Sequence, residues 1–74
     1  MSIYDLEPGQ SASIVQVNAF GAIRQRLLDM GLLPAVTVQV ERTAPTGDPI
    51  WIRFQGTQLA LRREEAIAVR VEID

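Results

Sequence analysis

The sequence predicts a mainly β fold: about five short strands in a small closed or nearly closed barrel, covered by one α-helix and joined by one short helical turn. Segments of alternating apolar and polar residues recur between turn signals. A single segment has apolar residues at helical spacing. The 74 residues are 47% hydrophobic and 22% charged, which is enough for one packed core. We therefore expect one domain over residues 1–74.

The five predicted strands are short and lie between turns. Pro8-Gly9 marks a turn before the first strand. The strands are SASIVQV (11–17), VTVQVERT (36–43), IWIRF (50–54), TQLAL (57–61) and AIAVRVEI (66–73). In the last strand the alternation predicts that Ile67, Val69, Val71 and Ile73 face the core. The preceding RREEA (62–66) has room for only about one helical turn.

The predicted helix begins between residues 18 and 21, with Asn18 as its candidate N-cap. Phe20, Ile23, Leu27 and Met30 are spaced at i, i+3, i+7 and i+10. Side chains with this spacing form one stripe on a helix. We expect the stripe to cover an open side of the barrel and to belong to the core.

The helix is predicted to stop at Gly31, which is well placed for the left-handed conformation of a C′ residue. Leu32 would then contact Leu27 across the end of the helix. Pro34 prevents the helix from resuming. Leu28 and Leu33 have no such architectural role, so they are surplus apolar residues.

The composition excludes several kinds of site. The chain has no cysteine, histidine or lysine, so all seven basic side chains are arginine. The common nucleophile–base pairs and transition-metal sites depend on those absent residues. We expect no enzyme, catalytic residue, resident metal or cofactor. Iron carriage would depend on carboxylates, amides, carbonyls and two Met sulfurs, and would be weak.

Charge and hydropathy also bear on location. The net charge is −2, which argues against nucleic-acid binding through a general basic surface. No apolar run approaches the length of a membrane span, and no leader pattern is visible. We expect a cytoplasmic protein without direct membrane insertion.

Three motifs in order resemble one family: RLLDMGLLP, GDPIWIRFQGTQLALRREEA and IAVRVEI. They resemble FeoA, the small cytoplasmic partners of the bacterial ferrous iron transporter FeoB. The residues that match the family pattern are Arg26, Leu27, Met30, Gly31, Pro34, Gly47, Asp48, Pro49, Leu59, Leu61, Arg62, Glu65 and Ala66. Ala35 departs from it, because the family usually has glycine there. If this position needs φ > 0, alanine costs on the order of 1 kcal/mol.

The resemblance implies an SH3-like β-barrel and a protein-interaction or regulatory role on the cytoplasmic region of a FeoB-like transporter. The alternative is a free-standing SH3-like regulatory domain of the kind found in metal-dependent transcriptional repressors. The sequence has no helix-turn-helix or basic stripe, so this chain is not expected to bind DNA itself. Weak self-association is left open.

Four residues are predicted to bind the partner: Arg24, Leu28, Leu33 and Trp51. Leu28 lies beside Arg24 on a helical wheel, away from the apolar stripe. Trp51 alternates with Ile50 and Ile52 and should point outward, and Trp and Arg dominate binding hot spots. The alternatives are that Arg24 is simply solvated and that Trp51 is covered by the N-terminal segment or the helix.

Overall fold

The computed structural model describes residues 1–73 as a five-stranded antiparallel sheet with two α-helices and a short 3-10 helix. The 3-10 helix spans Ile3–Asp5. The α-helices are α1 (Gly21–Asp29) and α2 (Arg63–Ala68). The strands are β1 (Ser11–Val17), β2 (Thr37–Thr43), β3 (Ile50–Phe54), β4 (Thr57–Leu61) and β5 (Val69–Ile73).

The predicted number of strands is confirmed, and four of the five predicted strands match the observed bounds to within one residue. The fifth prediction is wrong at its start, because residues 66–68 belong to α2. Glu65 favours this longer helix, since its Oε1 accepts the backbone N–H of Arg62 at 2.8 Å and caps the first turn. Val69 and Val71 are buried as predicted, but Ile67 and Ile73 are exposed.

The strand order is β4-β3-β2-β1-β5, so β4 and β5 are the two edges of the described sheet. A mainly β fold is confirmed, whereas closure into a barrel is not. Ile3, Leu27 and Ala66 join the sheet residues in one core cluster. The 3-10 helix, α1 and α2 therefore each contribute a side chain to the core.

The core lies on the inner face of the sheet, and buried apolar residues alternate with more exposed ones in β2 and β3. The largest fully buried side chains are Ile3, Leu27, Leu32, Val38, Val40, Ile50, Ile52, Leu61, Val69 and Val71. They come from all parts of the described chain, so the sheet and α1 share one core.

The predicted apolar stripe of α1 is only half correct. Leu27 is fully buried and Met30 packs partly buried against the core. Phe20 is 90% exposed and Ile23 is 43% exposed. The reason is that Phe20, not Asn18, is the N-cap, with extended backbone (φ −129°, ψ 158°). Phe20 is therefore out of helical phase, and only the C-terminal half of α1 reaches the core.

The end of α1 follows the prediction. Gly31 has φ +95°, its N–H donates to the Leu28 carbonyl at 2.9 Å, and the Leu32 N–H donates to the Leu27 carbonyl at 3.2 Å. These two bonds define a Schellman motif. Leu27 and Leu32 are both fully buried, so the turn fixes α1 to the core.

Ala35 has φ +74°, so the position that departs from the family pattern does need the left-handed region. Its N–H donates to the Ile14 carbonyl at 2.8 Å, and the Ile14 N–H donates to the Val36 carbonyl at 2.9 Å. These bonds hold the turn after α1 against β1, so the strained conformation is kept at a cost in stability.

Candidate partner-binding site

A groove of about 550 Å³ runs between the end of β1 and α1. We call it the α1 groove. Its lining is mostly apolar and consists of Val15, Gln16, Val17, Asn18, Ala19, Phe20, Arg24, Leu28 and Pro34. Its walls are the end of β1, the segment that leads into α1, and the side chains of Arg24 and Leu28 on α1.

Exposed apolar residues are concentrated in the stretch from residue 15 to residue 33. Within residues 1–73, four of the seven exposed large hydrophobic side chains fall between positions 15 and 33: Val15, Phe20, Ile23 and Leu33. Phe20 is the most exposed of them at 90%. Val15 and Phe20 both line the α1 groove, and exposed apolar side chains along an apolar groove are typical of an interaction surface.

Arg24 adds a positive charge to the groove. Its side chain is exposed, and its guanidinium has no hydrogen bond or ion pair within residues 1–73. It is the one charged residue in the lining. The α1 groove therefore offers apolar contact together with an unpaired cation, which suits a partner surface with apolar and acidic groups.

The helix that carries these residues is held rigidly. Arg26 Nη1 lies 3.0 Å from Glu65 Oε2, and the Gln25 side chain donates to Asp29 at 2.8 Å along the helix. Glu65 is 2% exposed, so α1 is joined to α2 by a buried carboxylate. Together with buried Leu27, this pair fixes which face of α1 points to solvent.

The structure brings only part of the predicted site together. Arg24 and Leu28 both line the α1 groove. Leu33 is 46% exposed in the turn after α1. Trp51 lies on the outer face of β3, does not line the groove, and is half-buried under Arg42, whose guanidinium carbon is 4.1 Å from the ring centroid.

Sequence reasoning missed Phe20, Ile23 and Val15 as surface residues. Periodicity alone assigned Phe20 and Ile23 to the core, because their spacing matches Leu27. The available signal was the poor N-capping residue at position 20: a helix that starts at Gly21 leaves Phe20 outside its periodicity. Val15 lies at the bulge between Ile14 and Gln16, where the pairing of β1 with β5 shifts register.

The polar outer face of the sheet carries a separate network. Glu41 accepts hydrogen bonds from Arg53 at 3.0 Å and Gln58 at 2.6 Å. The Arg53 bond is the main reason that the pKa of Glu41 is lowered, and the Gln58 bond contributes in the same direction.

Among residues 1–73, no cluster of three or more Asp or Glu side chains could hold a metal ion. No helix in that range is long and apolar enough to cross a membrane.

Solved structures place this fold in a known class. The zinc-bound FeoA of Stenotrophomonas maltophilia, described as a prokaryotic SH3 domain protein, superposes with a TM-score of 0.86 at 29% identity, covering 97% of this chain and 89% of that one. The FeoA protein of Chlorobium tepidum superposes with a TM-score of 0.90 at 40% identity, covering 99% and 70% of the two chains. The fold is thus that of the small SH3-like proteins.

The family model of the FeoA domain matches residues 1–73. The chain belongs to the FeoA family. A curated relative is the Fe(2+) transport protein A/Fe(2+) transporter FeoB fusion protein of Porphyromonas gingivalis, which is 37% identical over 73 residues. The match covers 99% of this chain and 9% of the fusion protein's length.

The comparison with metal-dependent transcriptional repressors, which tests the alternative function, shows similarity of fold alone. A manganese-dependent transcriptional repressor superposes with a TM-score of 0.90, but the identity is 13% and the match covers 36% of that protein. At this identity the comparison shows a shared fold and carries no information about function.

Proposed function

We propose that this protein is an accessory module of ferrous iron uptake that docks through the α1 groove on the cytoplasmic region of a FeoB-type transporter. The fusion protein of Porphyromonas gingivalis supports the pairing, since there a homologous segment and a transporter form one chain. Where the two are separate chains, a non-covalent surface has to hold them together.

The observation that carries the proposal is the 90% exposure of Phe20 at the rim of a groove that also contains unpaired Arg24. Aromatic and arginine side chains contribute most of the energy in typical interfaces. Exposing Phe20 to water costs free energy in the isolated protein, and a partner that covers the ring recovers it. Leu28 lies in the same groove and would extend the apolar contact.

The module would regulate transport by binding one state of the transporter more tightly than another. A ligand shifts a conformational equilibrium only by its difference in affinity for the two states. We therefore expect binding to depend on the nucleotide state of the transporter's G-protein region. Leu33 and Trp51 stay predicted contacts, with Trp51 on a surface separate from the groove.

Affinity measurements on the purified G-protein region of a FeoB-type transporter test the docking site. We expect Phe20→Ser or Leu28→Glu to weaken binding at least about tenfold, because each removes a central apolar contact. Ile73→Ser is the matched control, since Ile73 is also an exposed apolar residue, at 52%, but lies at the end of β5. It should change the affinity less than about twofold.

Two results would contradict the proposal. One is equal affinity for the Phe20→Ser variant and the unchanged protein, with circular dichroism showing that both are folded. The other is a loss of binding in Ile73→Ser that matches the loss in Phe20→Ser, which would place the contact elsewhere or indicate non-specific hydrophobic binding.

A further inference from the structure

Strand β4 is an edge strand with free backbone groups. It is joined to β3 by the two-residue turn Gln55-Gly56, with φ +50° and +75°. In such a hairpin the residues that flank the turn, Phe54 and Thr57, exchange both hydrogen bonds, and bonded and non-bonded pairs then alternate. Thr57, Leu59 and Leu61 therefore bond to β3.

The backbone groups of the two intervening residues point away from β3. The backbone N–H and C=O of Gln58 and Ala60 are directed away from the sheet, and no other backbone group in residues 1–73 bonds to them. Both residues are exposed. The edge therefore presents two donors and two acceptors in the spacing that an additional strand requires.

The opposite edge of the sheet is protected, which makes the open edge of β4 notable. At β5, the Val71 N–H donates to the Met1 carbonyl at 2.9 Å, and Ser2 forms a bridge with Arg70. Natural proteins also protect edges with charges, prolines and bulges. The segment TQLAL of β4 has no charge or proline, and its register with β3 is regular.

We propose that β4 pairs in antiparallel orientation with β4 of a second copy of this chain, about a two-fold axis at Leu59. This surface is distinct from the α1 groove and does not depend on the proposed transporter docking. In this register Gln58 lies opposite Ala60 of the second copy, and each such pair exchanges two hydrogen bonds. All four free groups of each β4 edge are then satisfied.

The side chains favour a second copy as the occupant. Leu59 is half-buried at this edge, and the two-fold axis places it directly opposite Leu59 of the second copy, within apolar contact. The strand is neutral, so no like charges face each other. Arg62 and Arg63 follow the end of β4 at Leu61, so they lie outside the paired segment.

The contact is small, so the dimer is weak. Four hydrogen bonds and one pair of leucines lie well below the area of a standard stable interface. We expect a dissociation constant on the order of 0.1–1 mM. At such an affinity the dimer forms only at a high concentration of the protein.

A dilution series of ¹⁵N-labelled protein from about 1 mM to about 20 μM tests the proposal, because this range spans the expected affinity. The Gln58 and Ala60 amide resonances should shift with concentration, and sedimentation should show a monomer–dimer equilibrium. Ala60→Pro should weaken the dimer at least about tenfold, because it removes an outward N–H that makes no bond within the chain.

Gln58→Lys provides a second test that does not alter the backbone. It brings two positive charges about 7–8 Å apart across the axis and should weaken the dimer about two- to threefold. Gln25→Lys is the matched control, since Gln25 and Gln58 each donate to a carboxylate, Asp29 and Glu41 respectively, at 2.8 and 2.6 Å. It should leave dimerisation unchanged.

The proposal is overturned if the protein is monomeric at about 1 mM, since a dissociation constant of at most about 1 mM places about half or more of the chains in dimers at that concentration. It is also overturned if the concentration-dependent shifts lie on the α1 groove instead of β4. If Ala60→Pro does not fold, Gln58→Lys decides: an effect no larger than that of Gln25→Lys contradicts pairing at this edge.

Discussion

Arg26 and Glu65 form an ion pair of 3.0 Å that joins α1 to α2. The adjacent Leu27 is fully buried in the core. Two neighbouring residues of α1 are thus fixed to different parts of the molecule, which sets the rotation of the helix about its axis. The same rotation directs Arg24 and Leu28 into the α1 groove. The docking surface therefore depends on a contact that lies outside it.

The first prediction concerns this ion pair. Arg26→Gln should lower the free energy of unfolding by about 1–2 kcal/mol, because within residues 1–73 it leaves the buried Glu65 carboxylate with only the Arg62 N–H. The loss stays below that of a fully buried pair because the Arg26 side chain is 55% exposed. Urea denaturation measures it. Arg24→Gln is the control, and an equal loss in both variants would contradict the assigned role.

The second prediction concerns the strained turn. Ala35→Gly should raise the free energy of unfolding by up to about 1 kcal/mol, because glycine adopts the observed φ of +74° without strain. Ala22→Gly, an exposed position within α1, is the control and should lower it by up to about 1 kcal/mol. If both substitutions destabilise equally in urea titrations, the account of the turn is wrong.

A third prediction uses the contact between the 3-10 helix and the loop before β3. The Tyr4 hydroxyl donates to the Gly47 carbonyl at 2.9 Å, and a Cβ at position 47 would lie 2.7 Å from that hydroxyl. Gly47→Ala should therefore destabilise by more than Gly9→Ala, since Gly9 has a similar φ and open space around it. The difference should be about 1 kcal/mol or more.

A double-mutant cycle separates the clash from backbone strain. In a Tyr4→Phe background the hydroxyl is gone, so the additional cost of Gly47→Ala should fall towards the cost of Gly9→Ala. Additive effects of Tyr4→Phe and Gly47→Ala in thermal or urea unfolding would show that the two positions do not interact.

A fourth prediction concerns pH. The hydrogen bond from Arg53 is the largest cause that lowers the pKa of Glu41 below its ordinary value of 4.5. A carboxylate with a lowered folded-state pKa stabilises the fold above the ordinary value, and that contribution is lost as the pH falls through the folded-state pKa. The stability difference between the protein and its Glu41→Gln variant should therefore shrink in acid. A difference that stays constant from neutral pH into acid would refute this role.

The strands were predictable because their signals are local. The strands β2 and β3 can be predicted from the alternation of a few neighbouring residues, and the end of α1 can be predicted from Gly31. The exposure of Phe20 and Ile23 was not predictable, because periodicity cannot show how far along its length a helix contacts the sheet. Residues 66–68 were assigned to a strand because an alternating pattern continues into them, whereas the Glu65 cap favours helix.

The partner-binding site was predictable only in part. Leu28 was identified as a surplus apolar residue beside Arg24, and the structure places both in one groove. The grouping of Phe20 with them depends on the fold of the whole N-terminal half. Trp51 is separated from them because β3 presents it on the outer face beside Arg42.

The most direct test of the docking account is an NMR titration of the labelled protein with the soluble G-protein region of a FeoB-type transporter, with and without a GTP analogue. The account predicts shifts that cluster on the α1 groove, including the amides of Phe20, Arg24 and Leu28, and that differ between nucleotide states. Shifts confined to β4 or to the surface around Trp51, or no shifts at high partner concentration, would contradict it.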